Sequence, residues 1–137
     1  MYYCGIYMTF DWSEYLKLAQ ELAGDDVSSP GEEAKLRSSV SRAYYAAFCK
    51  ARNHLRDIDE HKKILSEIPP KVNVHIYVRN QFKNNTDESY KKIGGDLDRL
   101  RLFRNAADYD DFVSGLESTT VMSLKLTRSV ISTLNTL

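Results

Sequence analysis

An all-α protein is what the sequence predicts, an up-and-down bundle of four to five helices. Three observations carry that reading. Apolar residues recur at intervals of three and four along nearly the whole chain, and helix-start and helix-stop residues punctuate those runs. No window alternates with the period of two that a half-buried strand requires. At 137 residues and 42% hydrophobic, the chain is the size of one domain with an ordinary core.

The opening MYYCGIYM is apolar, but it lacks a charged leader region and is cut short by Asp11. No window reaches the ~20 apolar residues of a membrane span. Residues 1–9 are read as an N-terminal arm that packs on the body or on a partner, and 10–137 as a single domain. No membrane partner and a cytoplasmic location are expected.

The first helix starts at Asp11, which with Glu14 forms a capping-box pattern. Trp12, Tyr15, Leu16, Ala19 and Leu22 recur at turn spacing until Gly24 stops the run. Ser29 as N-cap, Pro30 at the first helical position and Glu32 three residues after the cap announce the second. Leu36, Val40, Ala43, Ala47, Ala51 and Leu55 then draw one buried stripe, widened by Tyr44 and Phe48, which predicts a helix over roughly 30–56. Residues 57–71, closing on Pro69-Pro70, read as a connector with room for one helical turn around Ile64 and Leu65.

A shorter helix carries Val74, Val78 and Phe82 and ends at Asn84-Asn85, after which Thr86 or Asp87 opens the next. Tyr90, Ile93, Leu97, Leu100, Arg104 and Ala107 share its stripe. Gly94-Gly95 lies inside that run, at a cost of about 1 kcal/mol per glycine against alanine. The pair marks either a late helix start or a close backbone contact. Ser114 with Glu117 forms a further capping box, and the last helix runs on through Leu116, Val121, Leu124, Val130 and Leu134.

Nineteen basic against nineteen acidic residues leave a net charge of zero, which argues against coating nucleic acid by bulk charge but allows a local basic patch. Cys4 and Cys49 are far apart, form no C-x-x-C, and read as reduced thiols. The phosphate loop, the dinucleotide glycine motif, H-E-x-x-H and G-x-S-x-G are all absent. His54 and His61, seven residues apart, would sit about 10 Å apart along a helix. That is too far to share a zinc ion bound at about 2 Å, so neither metal nor cofactor is expected.

Arg104 is the informative residue, because it stands where the stripe calls for an apolar side chain. A buried guanidinium without a partner is costly. It can pair with Asp108 four residues on, snorkel to water, or face a groove or second subunit and hold a phosphate with its planar donor fork. Tyr44 reads as core. Tyr45, turned roughly 100° from it, faces the side of Ser41 and Ser38 and either lines a polar groove or sits at a helix seam with its hydroxyl at the edge. Lys91, Lys92, Arg99 and Arg101 read as a solvated basic flank.

Ser41-Arg42-Ala43-Tyr44-Tyr45-Ala46-Ala47-Phe48 on a long second helix resembles the corresponding helix of HEPN domains. Arg104-Asn105-Ala106-Ala107-Asp108-Tyr109 looks like the R-x-x-A-D-Y signature of a prokaryotic branch of that family. His75-Ile76-Tyr77-Val78 with Phe82 is similar to its third helix, and Phe10-Asp11-Trp12 with Tyr15-Leu16 fits its opening. The resemblance implies a four- to five-helix bundle, a homodimer, and a shared cleft lined by the fourth helix of each subunit. It further implies RNA or nucleotide biology within a toxin–antitoxin or defence system, a nucleotidyltransferase antitoxin as partner, and metal-independent endoribonuclease activity.

In that family the catalytic motif is arginine, four to six residues, then histidine. The 2′-hydroxyl attacks the adjacent phosphate, arginine stabilises the developing charge and histidine moves protons. Here the residues at the matching positions are Tyr109, Asp110 and Asp111, and no histidine occurs beyond His75. Loss of a positioned acid or base typically costs 10²–10⁴-fold in rate, whereas phosphate binding by Arg104 is less affected. The resemblance thus implies Arg104 and Tyr109 as the catalytic pair, with Asn105, Asp108, Tyr45 and Ser41 around the RNA or nucleotide. On a continuing helix Tyr109 lies roughly 140° from Arg104, so the two share a site only if the helix ends near Asp108 or if two subunits build it. A non-catalytic module, with Tyr109 as the acceptor of a nucleotide from the partner enzyme, and a scaffold with a purely structural Arg104–Asp108 pair are the alternatives.

Overall fold

Six α-helices and no strand make up the part of the chain that the computed structural model describes, residues 10–24, 31–59 and 61–137. They are α1 (Ser13–Ala23), α2 (Glu32–Asp57), α3 (Lys62–Leu65), α4 (Val74–Lys83), α5 (Glu88–Tyr109) and α6 (Leu116–Leu134). The count exceeds four to five because the charged connector does form its single turn, α3. The N-terminal arm 1–9, with Cys4, and the Ser29-Pro30 helix start lie outside the described residues. No helix among the described residues is long and apolar enough to cross a membrane.

α2 is the centre of the bundle and packs on every other helix. Its expected stripe of Leu36, Val40, Ala43, Ala47, Ala51 and Leu55 is buried, as are Tyr44 and Phe48. Burial also takes in Ser39, Ala46 and Cys49 on the remaining sides, since α1 covers one flank while α5 and α6 cover others. Ser39 Oγ donates to Ala19 O of α1 at 2.7 Å. Burial pushes the Cys49 thiol above its usual pKa, as expected for an inert reduced cysteine.

α1 begins through Asp11, whose carboxylate accepts from the Ser13 amide at 3.0 Å and the Ser13 hydroxyl at 2.7 Å rather than joining Glu14 in a box. α4 is capped by Asn73, which accepts from Ile76 N, and α5 by Asp87, which accepts from Ser89 N and Tyr90 N. α5 is continuous through Gly94-Gly95, so the glycines mark a close contact and not a late start. A Cβ on Gly94 would lie 2.5 Å from the Lys83 amide nitrogen of α4, while one on Gly95 would meet nothing. α4 and α5 can therefore approach this closely only where the first of the pair lacks a side chain.

α6 departs from expectation twice. It starts after Gly115, in the left-handed region at φ 66°, and has no side-chain cap, so Ser114 does not open it. Its inward face is Leu116, Thr120, Ser123, Thr127, Val130 and Leu134, with Leu126 beside them, while Val121 is exposed and Leu124 half-buried. Hydroxyl residues can occupy that face because their protons are satisfied: Thr120 and Ser123 donate to carbonyls one turn back, and Thr127 Oγ1 donates to Ala43 O of α2, each at 2.8 Å.

Candidate functional site

The six residues singled out in the sequence are joined in one line of contacts across the α2–α5 seam. Ser41 Oγ donates to Asp108 Oδ2 at 3.3 Å. That oxygen lies 3.1 Å from Arg104 Nε, an ion pair whose Nε–H is not aligned for a hydrogen bond. Arg104 Nη1 donates to Asn105 Oδ1 at 2.8 Å, and Nη2 donates to the Tyr45 hydroxyl. The Tyr45 hydroxyl is thus at the helix seam and at the site at once. Tyr109 joins through its ring, whose centroid is 5.9 Å from the Arg104 guanidinium carbon. It can do so because α5 ends at Tyr109, with the backbone turning extended at Asp110.

Arg104 also lies 5.2 Å from the Tyr44 ring and 5.1 Å from the Tyr45 ring. Three aromatic faces around one guanidinium favour the cation and restrict its rotation. Burial works against the charge, but the Tyr45 hydroxyl and the Asp108 carboxylate outweigh it and raise the Arg104 pKa further. Its side chain is 15% exposed, so the group is neither sealed nor solvated. Two of the four terminal N–H bonds are committed to neutral acceptors, and no hydrogen bond engages the other two among the described residues.

Those donors border a cavity of about 330 Å³ lined by Tyr44, Asn73, His75, Ile76, Arg79, Arg101, Arg104 and Asn105. α4 supplies one wall with its N-terminal turn, and α5 supplies the other. Ser41 and Asp108 face a separate cleft with Arg37, Ser38 and Arg42, so Asp108 reaches the cavity only through Arg104. Tyr109 lies outside both linings and is 73% exposed.

His75, Arg79 and Arg101 are the cavity residues that sequence reasoning missed. Arg101 is not part of a solvated flank: it is half-buried and its Nε is enclosed, whereas Arg99 is exposed and Lys92 pairs with Asp96 at 3.1 Å. Arg79 Nε lies 2.8 Å from Asp98 Oδ1. His75 stacks on Phe48 at 4.1 Å, and its Nδ1 is 2.6 Å from the Tyr44 hydroxyl. Burial pushes Tyr44 up to about 12, so the phenol keeps its proton, and one hydrogen bond joins its hydroxyl to His75 Nδ1. Burial, Arg104, Arg79 and Arg52 all push the His75 pKa down, so the ring is neutral at pH 7. The signal that existed in the sequence was spacing: Arg101 precedes Arg104 by one turn, and His75 and Arg79 are four apart on α4.

Arg37 was also missed. Its guanidinium donates to the carbonyls of Ala107 at 3.0 Å, Asp110 at 2.6 Å and Asp111 at 3.2 Å, while Nε donates to Glu33 at 3.0 Å. It caps the C-terminus of α5 from α2 and so fixes the turn at which Tyr109 sits. His54 and His61 each meet a tyrosine, Tyr90 at 3.0 Å and Tyr77 at 2.6 Å. Among the described residues no three His, Cys, Asp or Glu side chains converge as metal ligands.

Comparison of the chain with protein-family models, with curated proteins and with solved structures finds no match in any of the three.

Proposed function

We propose that this chain is a HEPN-like cytoplasmic protein that holds RNA or nucleotide phosphate through Arg104, as part of a toxin–antitoxin or defence system. The observation that carries the reading is a guanidinium held by Asp108, Tyr45 and Asn105 on one side and bordering a cationic cavity on the other. A purely structural arginine has no need of spare donors at a cavity wall. A preset fork with free N–H bonds suits a phosphate oxygen. If the protein cleaves RNA, it does so without metal and leaves a 2′,3′-cyclic phosphate, with Arg104 stabilising the charge that develops on phosphorus-bound oxygen. The test is RNA binding and cleavage in EDTA by wild type and Arg104→Ala. Equal binding by the two would end this reading.

A homodimer formed through α5 is part of the proposal. Leu102 and Tyr109, seven residues apart and therefore on one face, are 59% and 73% exposed, and Phe112 beyond them is 79% exposed. Sedimentation of the full chain, with Leu102→Asp as the disrupting variant, tests it.

The exposure of Tyr109 supports a second reading, in which a nucleotidyltransferase partner places a nucleotide on that hydroxyl. Intact-mass measurement after co-expression with such an enzyme decides it; an unmodified chain that does not co-purify would remove it.

A further inference from the structure

Arg104 is better satisfied than Arg101, one of the two other arginines in its cavity. Arg101, one turn earlier on α5, has no hydrogen bond and no carboxylate partner among the described residues, although its Nε is enclosed. Arg79, which lines the same cavity, is paired with Asp98, and Lys83 outside the lining shares that carboxylate. Lys83 and Arg79 outweigh burial and hold the Asp98 carboxyl below its usual pKa, so that carboxylate is fully ionised and fully engaged. Three arginines, Arg79, Arg101 and Arg104, line the cavity and no carboxylate does; Asp98 and Asp108 pair with Arg79 and Arg104 from outside the lining, which leaves Arg101 as the uncompensated cation. The N-terminal turn of α4, the positive end of that helix, lines the same space through Asn73, His75 and Ile76.

We propose that this cavity is a receptor for a phosphate monoester dianion, the terminal phosphate of an RNA or a nucleotide, with Arg101 as its principal bidentate contact and Arg104, Arg79 and the His75 ring completing the donor set. The inference rests on the assignment of Arg104 to phosphate and adds which phosphate is bound. A phosphodiester carries one charge and two free oxygens, whereas a monoester near neutral pH carries close to two charges and three free oxygens. Three lining guanidiniums with no carboxylate among the lining residues match the monoester's three free oxygens. A half-buried guanidinium with an enclosed Nε and no carboxylate partner among the described residues is costly, and a bound dianion offsets that cost. His75 fits the same chemistry: its ring lines the cavity, and with Nδ1 engaged by the Tyr44 hydroxyl, Nε2 is the ring nitrogen left to meet the ligand.

The test uses the full chain and 2′-O-methylated hexauridylate, which resists cleavage, in three forms: a 5′-phosphate, a 3′-phosphate, or hydroxyls at both ends. Inorganic phosphate is the fourth probe. Calorimetry at pH 7.5 is expected to show at least tenfold tighter binding of one phosphorylated form than of the unphosphorylated one. In Arg101→Gln, with folding checked by circular dichroism, that advantage is expected to vanish; Arg101→Lys should retain part of it. Equal affinity for all three oligomers in wild type overturns the inference, as does a phosphate advantage that survives Arg101→Gln. If the three bind equally and Arg104→Ala abolishes all binding, the inference falls and the assignment of Arg104 stands. If no oligomer binds but inorganic phosphate binds in an Arg101-dependent manner, the RNA reading falls and the monoester receptor stands.

Discussion

Two polar clusters lie along the same pair of helices, α2 and α5, and end in opposite electrostatic states. Near the C-terminus of α2, His54 Nε2 donates to the Tyr90 hydroxyl at 3.0 Å, Tyr90 donates to Asp59 Oδ2 at 2.9 Å, and His54 and Asp59 are 3.5 Å apart. Burial and the neighbouring Asp59 push Tyr90 up to about 12, so it stays a donor at any physiological pH. In that cluster each donor finds an acceptor within the group. At the Arg104 end histidine, tyrosine and aspartate are joined by arginines, of which Arg101 is left unpaired among the described residues beside open space. The lesson is that a histidine–tyrosine–carboxylate group is not by itself a site. Uncompensated charge next to a cavity distinguishes a surface built for a ligand from one built for the fold.

The largest effect that would sharpen this contrast is on ligand binding. Arg104→Ala removes a charged group hydrogen-bonded to the proposed ligand, worth about 1.5–3 kcal/mol, so RNA affinity is expected to fall roughly 10- to 150-fold in a titration while the helical content is unchanged. Next comes Gly94→Ala, away from both clusters. Its Cβ would press on Lys83 backbone atoms at 2.5 to 2.8 Å, an overpacking expected to cost about 1–3 kcal/mol in urea denaturation. A neutral result would show that α4 can shift away from α5 freely, and that the cavity wall is loose.

Tyr90→Phe should cost about 1 kcal/mol, since it strands the Asp59 and His54 groups, and should leave phosphate binding untouched. If it weakens binding, the two clusters are not separate and the comparison fails. Arg101→Met is expected to act in the opposite sense on the two properties. Denaturant stability rises by about 1 kcal/mol as an enclosed unpaired charge is replaced by a side chain of similar volume, while phosphate affinity drops. A destabilised Arg101→Met would mean that the guanidinium supports the fold.

The smallest effect concerns pH. His75 titrates below its ordinary value because it is buried and faces Arg104, Arg79 and Arg52, with Tyr44 on Nδ1. The unfolded chain therefore binds a proton here before the folded one does. The corresponding stability is present above about pH 6.5 and is lost as pH falls through the depressed folded value. His75→Asn should flatten the acid limb of the stability curve in that window. NMR titration of the ring should show its pKa moving back up when phosphate is bound.

Much of the architecture was legible because periodicity and capping are local signals. Leu36 to Leu55 and Ile93 to Leu100 declared their buried faces, and Asn84 and Asp87 marked real boundaries. α6 was misread at Val121 and Leu124 because its inward face is built from Thr120, Ser123 and Thr127, whose hydroxyls are satisfied by carbonyls that no sequence pattern displays. The chain Ser41–Asp108–Arg104–Tyr45 was anticipated in membership, since Arg104 broke an apolar stripe and so demanded partners. Arg101 and Arg79 broke nothing visible. Their significance arises only when α4 is laid against α5, a close approach that depends on Gly94.

Arg37 bears on how the second reading would work in practice. By bonding three carbonyls, of Ala107, Asp110 and Asp111, it tethers the chain on both sides of Tyr109 to α2. An enzyme that labels this phenol would meet it as a rigid display on an intact bundle and would have to recognise the surrounding relief. A free peptide covering residues 104–112 would lack that posture and should be a poor substitute for the whole chain.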